Sequence, residues 1–183
     1  MIYLLAGVAL DLLVGDPNFI PHPVVIIGKL IAFLESFLNK LNLNKIGQRT
    51  GGILLVLVVT GMTYGTMFFI LKVSFSLNLY FYIVVKIWFI GTTLALKGLA
   101  GAAVRVYQKL EKSNLTEARK EVGKIVGRDT DNMEEKDIVR AVVETVAENT
   151  SDGIIAPLFY YFWGGLPLAM AYKAVNTLGS MLG

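Results

Sequence analysis

The 183-residue sequence contains no cysteine. That excludes disulfides, thiolate metal sites, iron–sulfur clusters and a cysteine nucleophile. Charge is also scarce. Charged residues make up 17% and hydrophobic residues 55%, and the mean hydropathy is +0.61. Such a chain is too apolar for an ordinary soluble domain and far too apolar for disorder. It is long enough for one medium domain and too short for two. The net charge of +3 comes from basic residues interleaved with acids. No basic stripe is present, so a nucleic-acid partner is not expected. Also missing are the P-loop, the dinucleotide-binding glycine fingerprint, H-E-x-x-H and G-x-S-x-G.

What is present is a set of long uncharged runs. Thr50 to Leu71 is 22 residues without a charge. As a helix that run is about 33 Å long, enough to cross a hydrocarbon core. Residues 73–96 form a second apolar stretch, interrupted only by Lys86. A third run of 20 residues, Gly153 to Tyr172, contains Pro157, Gly164, Gly165 and Pro167. It reads equally well as a broken or re-entrant segment and as a straight span. Met1–Val14 is apolar apart from Asp11 and is short for a span. It has no basic leader or cleavage site of the secretory type. Residues 24–38, with Lys29 and Glu35, are amphipathic and suit an interfacial or assisted membrane segment.

The loop 39–50 carries Lys40, Lys45 and Arg49 and no acid, while 97–152 carries ten Lys/Arg and eleven Asp/Glu. Two spans between these segments put them on one side, which the positive-inside rule makes cytoplasmic. The expectation is an all-α, multi-pass protein of the cell membrane. Residues 1–104 supply N-terminal membrane segments, 105–152 a cytoplasmic amphipathic helical insert, and 153–183 a broken or re-entrant apolar segment. Membrane lipid is the expected surrounding. In the insert, Leu115, Ala118, Val122, Ile125 and Val126 share a face over 114–126. Asn114 and Glu117 suit a helix start, and Gly127 a C-terminal cap. A second helix is expected from Asp131 to about Glu148.

Several groups of residues suggest chemistry. Asp137, Arg140, Glu144, Glu148 and Asp152 recur at steps of three or four. Carboxylates on one face suit a hard cation such as Mg²⁺, and a solvated helix face is the alternative. Gly127-Arg128-Asp129-Thr130 can hold phosphate through backbone N–H groups and Arg128, or serve as a plain capped turn. Gly15-Asp16-Pro17 to Pro21-His22-Pro23 forms a rigid turn around the one histidine. Asp11, a carboxylate in an apolar segment, calls for a partner or polar cavity. Lys173, Asn176, Thr177 and Ser180 follow the third run, where Lys173 can snorkel. Phe159 to Trp163 is an aromatic cluster suited to membrane packing or to a flat hydrophobic ligand.

Several of these segments together resemble the CobD/CbiB family of cobalamin biosynthesis, the adenosylcobinamide-phosphate synthases. They are Asp11 with Gly15-Asp16-Pro17, Pro21-His22-Pro23-Val24, Ile27-Gly28 and Glu35; Gly127 to Thr130; Arg140 to Glu144; and Ala147-Glu148-Asn149. Asp152-Gly153, Ala156 to Phe159, Gly164 to Pro167 and Tyr172 to Leu178 complete the set, with order kept over nearly the whole chain.

The resemblance implies a multi-pass membrane ligase that uses ATP and Mg²⁺. It would join a corrinoid acid, adenosylcobyric acid, to aminopropanol or its phosphate through an amide bond. Activation of the carboxylate by phosphorylation needs cation clamps, metal-binding carboxylates and a base for the amine. On this expectation the catalytic set is His22, Asp16, Arg128, Glu144 and Lys173. Here Arg128 and Lys173 act on phosphate or the substrate carboxylate, and His22 or Asp16 is the base. Arg128, Asp129, Thr130, Asn149, Asn176 and Thr177 contact the cofactor; Glu144, Glu148, Asp129 and Asp152 ligate the metal. The family pattern has an acid after Asn-Thr-Leu where this chain has Gly179, and family members continue past Gly183. The chain is therefore expected to be a fragment, a natural truncation or one part of a split protein, alone, as a homo-oligomer or with a completing C-terminal partner. A non-catalytic membrane sensor or scaffold and a corrinoid transporter are the alternative readings.

Overall fold

The computed structural model describes residues 1–15, 22–41 and 44–182, and every regular element among them is helical. Asp16 therefore lies outside the described residues. Helices α1 (Ile2–Leu13), α2 (Pro23–Lys40), α3 (Lys45–Leu77) and α4 (Leu79–Thr93) come first. They are followed by α5 (Leu96–Glu111), α6 (Leu115–Gly123), α7 (Glu135–Thr150), a π-helical turn (Ser151–Ile155) and α8 (Ala156–Leu182). By length and composition, the stretches Lys45–Leu77, Leu79–Glu111 and Glu135–Leu182 could each cross a membrane.

The apolar core joins α1 to α4 and α8 through residues such as Leu4, Ile31, Val59, Ile90, Leu166 and Ala174. The reversal between α3 and α4 falls at Asn78. Its side-chain oxygen accepts a hydrogen bond from Tyr80 N at 2.7 Å, a cap that starts the new helix. Helix α1 runs parallel to α4. Lys86 Nζ lies 5.1 Å from the Tyr3 ring, and Gly7 lies against Ile90 and Gly91. A Cβ on Gly7 would come within 2.4 Å of the Ile90 side chain, so only glycine permits this approach.

The parallel packing carries Asp11 to the start of α5. Its carboxylate is 2% exposed and accepts from Leu96 N at 2.8 Å and Lys97 N at 3.4 Å. A carboxylate from α1 thus satisfies the orphan N–H groups of α5 and complements its dipole. Lys97 Nζ returns the contact by donating to Leu13 O at 2.6 Å and Val14 O at 3.1 Å, two carbonyls at the end of α1. This is the partner that Asp11 required.

The third apolar run folds back on itself. Gly164 (φ −139°, ψ 18°) and Gly165 (φ 72°, ψ −168°) leave the helical region within α8, and the positive φ of Gly165 favours glycine. In a straight helix Asp152 and Asn176 would lie about 36 Å apart. Instead Asn176 Nδ2 donates to Asp152 Oδ2 at 3.3 Å. The Tyr160 and Tyr172 rings stack across the hairpin at 4.8 Å and 19°. The descending limb from Ser151 to Trp163 is about 20 Å long, short of a full crossing. The run is therefore a helical hairpin whose two ends meet beside the start of α5, where a Cβ on Gly153 would be 3.5 Å from the Ala95 Cβ.

Helices α5, α6 and α7 pack around Val106, Ala118, Val122, Ile138 and Ala141; of these Ala118 and Val122 lie on the face the helical period predicts over 114–126. The helix boundaries differ from expectation. Asn114 caps α6 as predicted, its Oδ1 accepting from Glu117 N at 3.1 Å. The helix, however, stops at Gly123 with Lys124 as its cap, not at Gly127. Ile125 and Val126 continue the apolar face from a turn. Helix α7 begins at Glu135 and not at Asp131, because Glu134 and Asp137 form a reciprocal capping box there. Asp137 Oδ2 accepts from Glu134 N at 3.2 Å.

Candidate functional site

The hairpin mouth, α7 and the α6–α7 loop enclose an open cavity of about 710 Å³. Its polar lining is Arg128, Glu144, Thr145, Glu148, Asn149, Asp152, Asn176 and Ser180, with Ile125 and Val126 as apolar wall. Three separate parts of the sequence meet here. Helix α7 presents Glu144, Glu148 and Asp152 at four-residue steps, with the π-helical turn carrying the last of them. The α6–α7 loop delivers Arg128 from one side. The reversal at Gly164–Gly165 brings Asn176 and Ser180 back from the other.

The electrostatics are uneven. Arg128 Nη2 lies 3.1 Å from Glu144 Oε2, and Arg140 Nε lies 3.6 Å from Glu144 Oε1. Glu144 is thus held between two guanidinium groups. Asp152 accepts from the Asn176 amide. The Glu148 carboxylate has no hydrogen-bond or ion-pair partner among the described residues. Among the described lining residues, one cation faces three carboxylates, so the cavity attracts a cation or a ligand that brings one. No three His, Asp or Glu side chains come together closely enough to hold a metal ion among the described residues.

Of the predicted site residues, Arg128, Glu144, Glu148, Asn149, Asp152 and Asn176 converge on this cavity. The others do not line it. Asp129 turns back on its own loop, its Oδ1 accepting from Asp131 N at 2.9 Å. Thr130 is buried and donates to Arg119 O at 3.1 Å. Thr177 is buried and donates to Lys173 O at 2.7 Å, inside its own helix. Lys173 sits one turn before Asn176, outside the lining. His22 is the N-cap of α2, with Nδ1 accepting from Val24 N at 3.3 Å, and is also outside it. In Asp129, Thr130 and His22 a polar side chain beside a helix end is drawn into a capping or turn bond, and in Thr177 into a bond within its helix. Thr145, not among the expected site residues, also lines the cavity. The signal was available, since Thr145 lies four residues before Asn149 on one helical face.

The CobD/Cbib family model matches residues 4–183. The chain belongs to the CobD/Cbib family. Cobalamin biosynthesis protein CobD of Geobacter metallireducens is 49% identical over 179 residues, 98% of this chain and 55% of that protein. Cobalamin biosynthesis protein CbiB of Salmonella typhimurium is 49% identical over 174 residues, 95% of this chain and 54% of that protein. CobD of Clostridium tetani is 46% identical over 186 residues, 100% of this chain and 57% of that protein. The chain thus spans little more than half the length of these curated family members. No solved structure matches it. The cavity brings together three of the segments on which the family resemblance rests, the 127–130 loop, the α7 stripe and the segment around Asn176.

Proposed function

We propose that the chain takes part in cobalamin biosynthesis as the cavity-bearing part of an adenosylcobinamide-phosphate synthase. The reaction joins adenosylcobyric acid to aminopropanol or its phosphate with consumption of ATP. The observation that carries this reading is the convergence of Arg128, Glu144, Glu148, Asp152 and Asn176 on one cavity. Scattered motifs of a shared ancestry need not meet in space unless they act together.

The donor set suits some ligands and excludes others. The described residues contain no cluster of three acidic or histidine groups that would cage a bare divalent ion. Mg²⁺ carried on a polyphosphate needs only one or two carboxylates and keeps much of its water. Glu148 and Asp152 fit that role. Arg128 is placed for a phosphoryl oxygen, and Thr145, Asn149, Asn176 and Ser180 offer neutral hydrogen-bonding groups. ATP, when bound, supplies the phosphoryl group that makes the substrate carboxylate reactive. The carboxylates also suit an incoming ammonium, and of the two Glu148, whose carboxylate is unengaged by the described residues, serves as its base while Asp152 holds the metal. Lys173, His22 and Asp16 are not assigned to the cavity. In this reading the reaction takes place at the hairpin mouth beside the start of α5, within reach of a bulky corrinoid from the aqueous side.

The test is cobinamide formation by the intact protein in lipid vesicles with Mg-ATP, adenosylcobyric acid and aminopropanol. The Glu148→Gln variant is expected to lose on the order of a hundredfold in rate. Unchanged turnover removes Glu148 from the chemistry, and absence of product from the unsubstituted protein removes the synthase reading.

One observation favours a second reading. Gly179, where the family pattern has an acid, lines the cavity. A chain lacking that acid could serve as a corrinoid- or nucleotide-sensing membrane scaffold. Mg-ATP binding without turnover would support it.

A further inference from the structure

The α6–α7 loop holds three polar side chains in succession, and two of them are consumed in fixing the loop. Asp129 Oδ1 takes the N–H of Asp131 at 2.9 Å. Thr130, 8% exposed, donates its hydroxyl to Arg119 O at 3.1 Å. The same Arg119 donates Nε to Met133 O at 2.8 Å, so one residue of α6 ties down both ends of the segment 130–133. Gly123 makes room for this seat, since a Cβ there would lie 3.0 Å from Thr130 Oγ1. The third side chain, Arg128, projects from this pinned loop into the cavity. There Glu144 Oε2 receives it at 3.1 Å, and Glu144 is itself steadied by Arg140 through its other oxygen.

We propose that Thr130 and Glu144 are positioning residues that hold Arg128 over the cavity as its reader of an anionic, phosphoryl-bearing ligand. Arg128 is the only cation among the described residues lining the cavity. Left mobile, a long arginine on a surface loop loses much of its binding energy to ordering; held in place, it meets the ligand in its working geometry. Thr130 fixes the backbone from which Arg128 departs. Glu144 fixes the guanidinium. When a phosphoryl oxygen arrives, it displaces Glu144 from one edge of the guanidinium fork, and Arg140 keeps Glu144 charge-paired meanwhile. Glu144 engages a guanidinium with each oxygen, so its role is to orient Arg128 and not to ligate a metal.

The inference rests on the proposed reading of the cavity as an Mg-ATP site, and the test separates the two. The probe is Mg-ATP, measured by equilibrium dialysis against the intact protein in lipid nanodiscs. Arg128→Ala is expected to weaken binding about 10- to 100-fold, the range of a charged hydrogen bond. Thr130→Val and Glu144→Gln should each weaken it about 3- to 10-fold, and Thr130→Ser should restore it. The deciding readout is a double-mutant cycle: on the Arg128→Ala background, Thr130→Val and Glu144→Gln should each add less than about twofold. The Mg²⁺ concentration for half-maximal binding should not move in Glu144→Gln.

Equal losses on both backgrounds overturn the inference, since that is what a general structural role produces. A shifted Mg²⁺ midpoint in Glu144→Gln also overturns it, by making Glu144 a metal ligand. Glu144 is 56% exposed, so its substitution tests the idea even where Thr130→Val disturbs folding. Failure of the unsubstituted protein to bind Mg-ATP overturns the proposed function and this inference together. Tight binding with an additive cycle overturns only the positioning role.

Discussion

Two kinds of carboxylate stand at the boundary between the apolar bundle and the insert, and they have opposite fates. Asp11 is sealed, 2% exposed, and caps the first turn of α5. Glu148 and Asp152 border an open cavity, and Glu148 is engaged by no described partner. By sequence all three were acids beside long apolar runs. The difference teaches that burial of an acid is not in itself a sign of chemistry. A carboxylate whose oxygens are taken by backbone N–H groups is scaffolding, because moving it would orphan those groups. A carboxylate that a ligand can still reach is available for work.

That contrast can be broken at several points. The largest effect is expected at Asp11→Ala, which strips the α5 N-terminus of its cap and should cost roughly 2 kcal/mol. Hydrogen exchange at the Leu96 and Lys97 amides, with the unfolding midpoint in detergent, checks it. A stability equal to that of the unsubstituted protein would return Asp11 to the list of functional acids.

The hairpin comes next. Gly165→Ala forces a methyl-bearing residue to φ near 72° and should cost about 1–2 kcal/mol. Its reversal can be read chemically, because the chain has no cysteine of its own. A short bifunctional thiol reagent should link cysteines placed at 152 and 176. A straight helix, with those positions about 36 Å apart, would give no link.

A smaller, favourable effect is expected at Gly179→Asp. A Cβ at Gly179 meets nothing within 4 Å, and the position lines the cavity. The added carboxylate should raise Mg²⁺ affinity several-fold, on the order of 1 kcal/mol, without loss of stability. Calorimetric titration with Mg²⁺ in the presence of ATP checks it, and no gain would mean that the side chain at 179 turns away from Asp152.

The smallest effect belongs to the ion pairs of α6. The Lys120 hydrogen bond and charge hold the Glu117 carboxyl below its usual range, and the Lys124 hydrogen bond does the same for Glu121. A carboxyl lowered in the folded state adds stability above its unfolded pKa and loses it as pH falls through the folded one. The α6 helix should therefore weaken slightly below about pH 4, and slightly with added salt at neutral pH. Helicity followed through an acid titration measures this.

Much of the architecture could be read from residue order. Charge-free runs marked α3 and α4, and apolar spacing marked the face of α6 that packs on Val106 and Ile138. The four-residue stripe of α7 located the three acids of the cavity wall. The ends of the insert helices were misplaced by about four residues, at Gly123 instead of Gly127 and at Glu135 instead of Asp131. Asp129, which takes the Asp131 N–H, and the capping box of Glu134 with Asp137 are two local helix-start signals a few residues apart, and spacing does not rank them. By residue type the hydroxyls of Thr130 and Thr177 suit ligand contacts. Only in space do Arg119 O and Lys173 O show where those hydroxyls go.

Composition and order alone determined an all-helical chain with membrane-length apolar segments and a charged helical insert, because burial and periodicity are properties of neighbouring residues. Tertiary structure alone decided that the third run reverses at Gly164–Gly165, that Asp11 belongs to α5, and that Arg128 and Asn176 face the α7 acids across one cavity. Each of those is a contact between residues 16 to 85 positions apart. Side-chain spacing along one helix carries no information about which distant backbone turns to meet it.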